Sequence, residues 1–428
     1  MAHSREENDE LTQTGPGTRM GDLLRRYWVP ILLEEELPEP DCPQVRVRIL
    51  GEDLIAFRDT YDRFGLVGEL CEHRAASLWF GRCEEGGIRC AYHGWKYDVE
   101  GRCVDMPSEP PQSRFKEKIR LKAYPSRLQG GIVWAYLGPP ETMPELPQME
   151  WSILPSEHVF VSKRLQESNY LQAIEGGIDS SHVSFAHRYN LEDDPMHANT
   201  VGNTYLKADT HPKFEVAESD GGLVIGARRN ADEDSYYWRI TQFVMPWFTL
   251  IPPFGENPMG GHMWVPIDDE SCWAWSINFH PSRPLEETEL AEMRAGKGIH
   301  CAYVPGTYLP LANQRNGYLM DRAAQKARKT FSGVAGIAMQ DASLQESMGP
   351  IQDRTTEHLG TSDIGIIMAR RRLLKAARAL EQGEEPPGRD PASQRVRSAS
   401  LLLPHDVPFD TGAAEALVAR PGRPFVSL

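Results

Sequence analysis

Two short pairs of metal-ligating side chains stand between residues 71 and 93: Cys71-x-His73, sixteen residues, then Cys90-x-x-His93. Each pair offers one thiolate and one imidazole. Such pairs suit a [2Fe–2S] cluster in which the thiolates hold one iron and the imidazoles the other, which raises its potential above that of an all-cysteine cluster. A Cys2His2 zinc site usually pairs cysteine with cysteine and histidine with histidine, so the mixed pairs disfavour it. Gly81, Gly86, Gly87 and Gly94 give the backbone freedom to bend at the two loop tips.

A cluster of this kind passes single electrons and transforms no substrate, yet well over half the chain follows it. A second set of ligating residues lies in EGGIDSSHVSFAH, residues 175–187. The stretch from about 169 to 186 reads as a helix. Asp179 and His182 are three apart and share a face. His182 and His187 are five apart, about 140° around a regular helix, so they meet at one metal only if the helix loosens or ends between them. Gly176 and Gly177 make this stretch less rigid. Two histidines and a carboxylate with open positions hold non-haem Fe(II) for oxygen activation. Asp179 can supply the carboxylate, and so can Asp341 downstream in QDASLQESMGPIQDRTTEHLG.

The elements that must position these residues fall into three parts: a segment over 1–39, a small all-β module over 40–140 and a larger domain over 141–428. Residues 1–17 are polar and expected to be poorly ordered. Residues 45–67 alternate as hairpin strands, and strand-like pieces return at 118–138. Gly138-Pro139-Pro140 and the residues after it read as a linker. Residues 204–280 form a strand-rich meander that predicts one large antiparallel sheet. Residues 284–300, about 335–347 and about 364–382 read as helices, the last with an Arg/Lys face expected to be solvated. The Pro- and charge-rich tail from Gly383 is expected to be surface loop. The class is α+β: a small all-β domain, then an antiparallel sheet flanked by helices in a helix-grip-like arrangement.

With 46 Lys+Arg against 61 Asp+Glu the net charge is −15, which argues against nucleic acid as a partner. The apolar runs are far shorter than the roughly 20 residues of a membrane span, and the polar N-terminus has no secretory h-region. Together with the odd count of seven cysteines, this predicts a cytoplasmic protein with thiols and metal ligands, not a disulfide framework.

Together the two constellations resemble the catalytic subunit of the Rieske non-haem iron ring-hydroxylating oxygenases, over nearly the whole chain. The resemblance is closest to the phthalate 4,5-dioxygenase-like branch, which includes chlorobenzoate dioxygenases. It is carried by LTQTGPGTRMGDLLRRYW, RCAYHGWKYDVEGRCVDMPSEPP, GGIDSSHVSFAHR, YYWRITQFVMPWFTLIPP and LQESMGPIQDRTTEHLG. It implies that Cys71, His73, Cys90 and His93 hold the Rieske cluster and that His182, His187 and Asp341 hold a mononuclear Fe(II). Asp341 lies five residues before Glu346, as the family's third ligand lies before a Glu. Asp179 then takes the family's bridging role between one subunit's iron and the cluster of its neighbour, which implies a head-to-tail homotrimer or stacked trimers. Respiratory Rieske proteins add a disulfide-forming cysteine to each loop. Here Ala91 and Tyr92 stand between Cys90 and His93, and Arg74, Ala75 and Ala76 follow His73, which points to the lower-potential type.

The resemblance implies an O2-dependent reaction on an aromatic acid, phthalate- or benzoate-like, that gives a cis-dihydrodiol. The alternative is monooxygenation or O-demethylation. No dinucleotide-binding fingerprint is present, so NAD(P)H serves a separate reductase with a flavin and a ferredoxin-type cluster. Lys207, Arg228, Arg229 and Arg239 are candidates to anchor a substrate carboxylate. Trp247, Phe248 and Ile251-Pro252-Pro253 are candidates for an apolar pocket or for core. A further reading keeps the cluster but loses the catalytic iron, leaving an electron-transfer protein. Iron analysis separates the two: about three irons per chain are expected for the oxygenase, and about two would leave only the cluster.

Overall fold

The computed structural model describes residues 3–191, 193–198 and 200–428. Its largest sheet has eight strands. Seven follow one antiparallel path: Val159–Gln166, Cys272–Phe279, Met259–Pro266, Phe248–Ile251, Ser235–Val244, Gly222–Asn230 and Lys213–Glu218. Alternating apolar residues, such as Leu223 and Ile225 or Met263 and Val265, turn into the core. The meander begins later than its sequence implies, because Val201–Ala208 is a helix.

The short strand Phe248–Ile251 covers only Gln242–Val244 of the long strand Ser235–Val244. The rest of that edge is covered by Ala399–Pro404, which pairs with Ser235–Ile240. The C-terminal tail is therefore not simple surface loop. It closes an otherwise bare edge of the central sheet, and Arg397 beside it is buried against Glu150 at 2.5 Å.

The N-terminal part forms three small antiparallel sheets. Val45–Ile49, Glu52–Arg58, Phe64–Gly68 and Ala123–Tyr124 make one; Arg82–Glu84, Gly87–Arg89, Lys96–Tyr97 and Cys103–Asp105 make another. The third joins Trp28–Leu33 to Ile132–Tyr136 and Ser126–Gln129, so chain from before residue 40 pairs with chain near 135.

Residues 1–17 are ordered where described, contrary to expectation. Arg5–Thr12 is a helix with a capping box, Ser4 accepting from the Glu7 amide and Glu7 from the Ser4 amide. Its end is pinned by Tyr170, whose hydroxyl donates to Leu11 O at 2.9 Å, and by Asn169, which donates to Thr12 O. The three late helices are Glu287–Arg294, Ile337–Glu346 and Ile364–Leu380.

The basic face of Ile364–Leu380 is not simply solvated. Arg370 is buried and shares Glu175 with buried Arg354, at 2.7 and 3.1 Å, and also grips Glu357. Arg372 pairs with Glu218 and Arg378 with Glu10. Glu175 thus ties the helix that precedes Asp179 to two other segments. Glu175→Gln removes the negative charge between two buried guanidiniums and is expected to destabilise the fold by about 3–5 kcal/mol. A denaturant titration with an unchanged midpoint contradicts this.

Candidate metal centres

The two cysteine–histidine loops are built alike. Cys71 O accepts from the Ala75 amide while the Cys71 amide donates to Ala76 O; Cys90 O accepts from the Gly94 amide while the Cys90 amide donates to Trp95 O. The fourth residue after each cysteine, Ala75 at φ +57° and Gly94 at φ +77°, takes the left-handed conformation that closes the turn. The cysteines are buried at 2 % and 3 % exposure, while both imidazoles are half-buried. The thiol Sγ of Cys71 lies 3.3 Å from the Tyr97 hydroxyl. The rings of His73 and His93 meet edge to face at 4.4 Å, and His73 stacks on Trp95 at 4.5 Å. Nδ1 of His73 is buried and has no hydrogen-bond partner. A buried ring nitrogen without a partner is costly unless a metal takes it. The donor set therefore fits a cluster whose thiolate end points inward and whose imidazole end points out.

The second set converges from two segments. The helix Tyr170–Ile178 does not run to 186; it ends at Asp179, whose extended backbone (φ −88°, ψ 117°) caps it. His182 opens a one-turn 3-10 helix, His182–Ser184, and His187 follows in a turn. Ending the helix ahead of both histidines is what lets them meet. Nε2 of His182 and Nε2 of His187 are 3.2 Å apart, and Asp341 Oδ1 lies 3.5 and 3.2 Å from them. Asp341 comes from the helix Ile337–Glu346. The ligating atoms of these three residues all lie within 4.8 Å of one another, so they can hold one metal ion. Burial alone opposes charge on Asp341, but His187 and His182 hold its pKa down to about 2. Burial also opposes charge on His182, yet Asp341 and Asp179 raise it to about 9.

Gln340 was not visible as a functional residue in the sequence. Its Oε1 accepts from His187 Nδ1 at 2.8 Å, which leaves Nε2 free for a metal. Its amide is itself fixed, donating to Asn190 Oδ1 and Val334 O. Asp179 stands on the other side of His182: Oδ2 faces His182 Nδ1 at 3.4 Å, and Oδ1 accepts from the Ser181 amide at 2.6 Å. Gly176 and Gly177 serve close packing rather than looseness. A Cβ on Gly177 would lie 2.8 Å from Thr249 Oγ1 and 2.9 Å from Trp264 Nε1, so the helix could not lie this close to the sheet. Glu346 binds the Tyr318 hydroxyl and the Glu167 amide and stays outside the converging group.

A cavity opens beside the three residues, walled by Asp179, His182, Asp341 and the sheet side chains Arg239, His262 and Trp264. Asp179, His182 and Asp341 also line a second, outer cleft with Leu344 and Met348. Of the candidate anchors, Arg228 pairs with Glu215 and stacks on Tyr236. Arg229 donates to Ser180 O and Asp209 O. Lys207 lines a neighbouring recess. Only Arg239 among these four lines the cavity. It is buried and donates to Pro252 O at 3.1 Å, while its Nε and Nη1 have no partner. Ile251 and Pro252 line the cavity as well, whereas Trp247 and Phe248 belong to the core.

Comparison with known proteins identifies the family. The Rieske [2Fe–2S] domain family matches residues 27–125, and the family described as LigXa C-terminal domain like matches residues 135–407. The chain is 39 % identical to the 3-chlorobenzoate-3,4-dioxygenase oxygenase subunit of Comamonas testosteroni, over 95 % of this chain and 96 % of that one. It is 37 % identical to the phthalate 4,5-dioxygenase oxygenase subunit of Pseudomonas putida, over 94 % and 93 %. In fold it is similar to the terminal oxygenase of carbazole 1,9a-dioxygenase from Novosphingobium, with a TM-score of 0.56 and 20 % identity over 86 % of this chain and 93 % of that one. The chain belongs to the Rieske-type ring-hydroxylating oxygenases, with a catalytic domain of the LigXa C-terminal kind. It is the oxygenase subunit of a dioxygenase whose cofactors are a Rieske [2Fe–2S] cluster and a mononuclear iron, and it draws its electrons from a partner protein. Among the described residues no helix is long and apolar enough to cross a membrane. Gln340→Leu is expected to weaken iron binding at the mononuclear site about 10- to 100-fold while the visible spectrum of the cluster is unchanged. Wild-type iron affinity in that variant contradicts the positioning role.

Proposed function

We propose that this subunit dihydroxylates an aromatic acid at the cavity beside His182, His187 and Asp341, with Arg239 binding the substrate carboxylate. One observation carries the substrate class: a buried guanidinium with two unpartnered nitrogens and, among the described residues, no ion pair to a carboxylate. A buried cation needs a counter-charge, and a benzoate- or phthalate-like ligand brings one. The printed names of the two relatives, a chlorobenzoate and a phthalate dioxygenase, agree with that class.

In this reading Cys71, His73, Cys90 and His93 hold the cluster within 40–140, and His182, His187 and Asp341 hold the iron within 141–428, with 1–39 bracing both. An iron held by His182, His187 and Asp341 would supply oxygen activation with electrons from the cluster. The chain does the rest. Gln340 and Asp179 orient the two imidazoles, Arg239 fixes the acid end of the ring, and Ile251, Phe254 and Trp264 exclude water around it.

Asp179 is the bridge to a cluster in a neighbouring chain. Two observations favour this. Asp179 lines both the inner cavity and the outer cleft. Among the described residues no hydrogen bond or ion pair joins the loops at 71–93 to the segments at 170–191 or 337–346 of the same chain. Tyr92 on one loop is 60 % exposed, and Leu344 and Met348 at the cleft are 45 % and 50 % exposed, so apolar groups wait on both surfaces. A head-to-tail homotrimer satisfies them, and a reductase with a flavin and a ferredoxin-type cluster supplies the electrons.

O2 uptake across benzoates and phthalates, with product identification, tests the activity. A dihydrodiol is expected from a carboxylated ring, and no uptake with any aromatic acid contradicts the reading. Arg239→Gln is expected to raise KM for the acid roughly 10- to 100-fold with a smaller effect on kcat; an unchanged KM excludes it as the anchor. Asp179→Asn should keep both metals yet nearly stop coupled turnover, and normal turnover in that variant defeats the bridge.

A further inference from the structure

The cavity has a second polar group that neither the metal site nor the carboxylate anchor uses. His262 lies on the strand Met259–Pro266 and, with Trp264, lines the cavity on the same side as Arg239 and Thr241. Its Nδ1 is 3.2 Å from Trp275 O and 3.3 Å from Ser276 Oγ. A carbonyl can only accept. The Ser276 hydroxyl already donates its proton to Ile299 O at 2.8 Å, so its oxygen also accepts. Nδ1 must therefore carry the hydrogen. In the neutral ring this leaves Nε2 as a bare acceptor. Burial, with the charge of Arg164, presses the pKa down to about 4, so the ring is neutral near pH 7. Among the described residues the ring's hydrogen bonds are all at Nδ1, and the ring lines the cavity.

The place of this acceptor follows from register. Phe243 pairs with Thr249, and Thr249 pairs with His262, so His262 stands level with Phe243, four residues along from Arg239 and two strands across. Adjacent strands are about 4.8 Å apart and residues about 3.3 Å apart along them, so the two backbone positions are roughly 16 Å apart. The cation and the acceptor occupy separate ends of the cavity. His262 lines the same cavity as the metal-site residues His182, His187 and Asp341.

We propose that His262 is a specificity-determining residue that accepts a hydrogen bond from the aromatic ring's own substituent, so that the preferred substrate is an aromatic acid bearing a hydroxyl or amino group away from its carboxylate. This rests on the reading of Arg239 as the carboxylate anchor. A chlorine or a second carboxylate, as in the substrates named for the two relatives, donates no hydrogen bond and would leave the Nε2 lone pair unmatched. A buried acceptor left unpaired penalises the wrong ligand, which is how such sites discriminate.

The test is equilibrium binding to the metal-loaded protein without O2, followed by tryptophan fluorescence, since Trp264 lies 4.5 Å from His262. The probes are the hydroxybenzoate isomers, the matching methoxy- and chlorobenzoates, and the carboxamide of each. For one hydroxy isomer we expect about tenfold tighter binding than for its methoxy and chloro counterparts. His262→Leu should abolish that preference, and His262→Gln, whose amide oxygen can accept, should retain part of it. The wild-type ligand series stands even where a variant fails to fold. Equal binding of all hydroxy, methoxy and chloro ligands overturns the inference, and if carboxylates still outbind carboxamides the reading of Arg239 survives. A hydroxyl preference shared equally by carboxylates and carboxamides supports the acceptor and overturns the anchor.

Discussion

Asp179 and His182 face each other at 3.4 Å where a helix ends against the central sheet and two cavities share a wall. The contact constrains much else. His182 must turn one ring nitrogen to Asp179 and the other toward His187 and Asp341, so the helix has to stop at residue 179. Were it to continue, the two histidines would diverge by about 140°. A carboxylate in this place orients an imidazole on one side and reaches solvent on the other, which suits a group that hands electrons inward from a docked cluster.

Holding that helix end still takes support from distant parts of the chain. Gly177 lets the helix lie close on the sheet, Gly176 lets it lie close on Gln345 of the helix Ile337–Glu346, and Glu175 ties it to Arg354 and Arg370. The N-terminal helix closes over the start of the same element through Tyr170 and Asn169. Each contact is individually modest, but their sum fixes one end of a short, functionally critical segment. The buried charges are satisfied by several partners each, which is the condition under which buried ion pairs hold a geometry.

The two candidate ligand sets stood out in the sequence because cysteines and histidines, or histidines and an aspartate, at short spacing have few other reasons to occur together. The loop geometry agrees with them, and the large antiparallel sheet was legible from alternation. The choice between Asp179 and Asp341 was not open to periodicity, because Asp341 comes near the histidines only after folding: it is 154 residues beyond His187 (341 − 187) yet 3.2 Å from it. Polar face patterning misled at Ile364–Leu380, where arginines look solvated until partners arrive from remote sequence, Glu10, Glu175 and Glu357 in the interior and Glu218 at the surface. The tail strand Ala399–Pro404 was hidden for the same reason: its partner, 235–240, is remote in sequence. Gln340 and His262 gave no signal, since their roles rest on single hydrogen bonds across the fold.

The central claim is that the cluster of one chain serves the iron of another, with Asp179 between them. Mixed oligomers test it most directly. One chain carries Cys71→Ala and lacks the cluster; the other carries His187→Ala and lacks the mononuclear iron. Each alone should be inactive with reductase and an aromatic acid. Co-assembled from unfolded or dissociated chains, they should regain a substantial fraction of wild-type turnover, because some interfaces then pair an intact cluster with an intact iron site. Mixed assemblies that form, bind both metals and stay inactive would contradict the account.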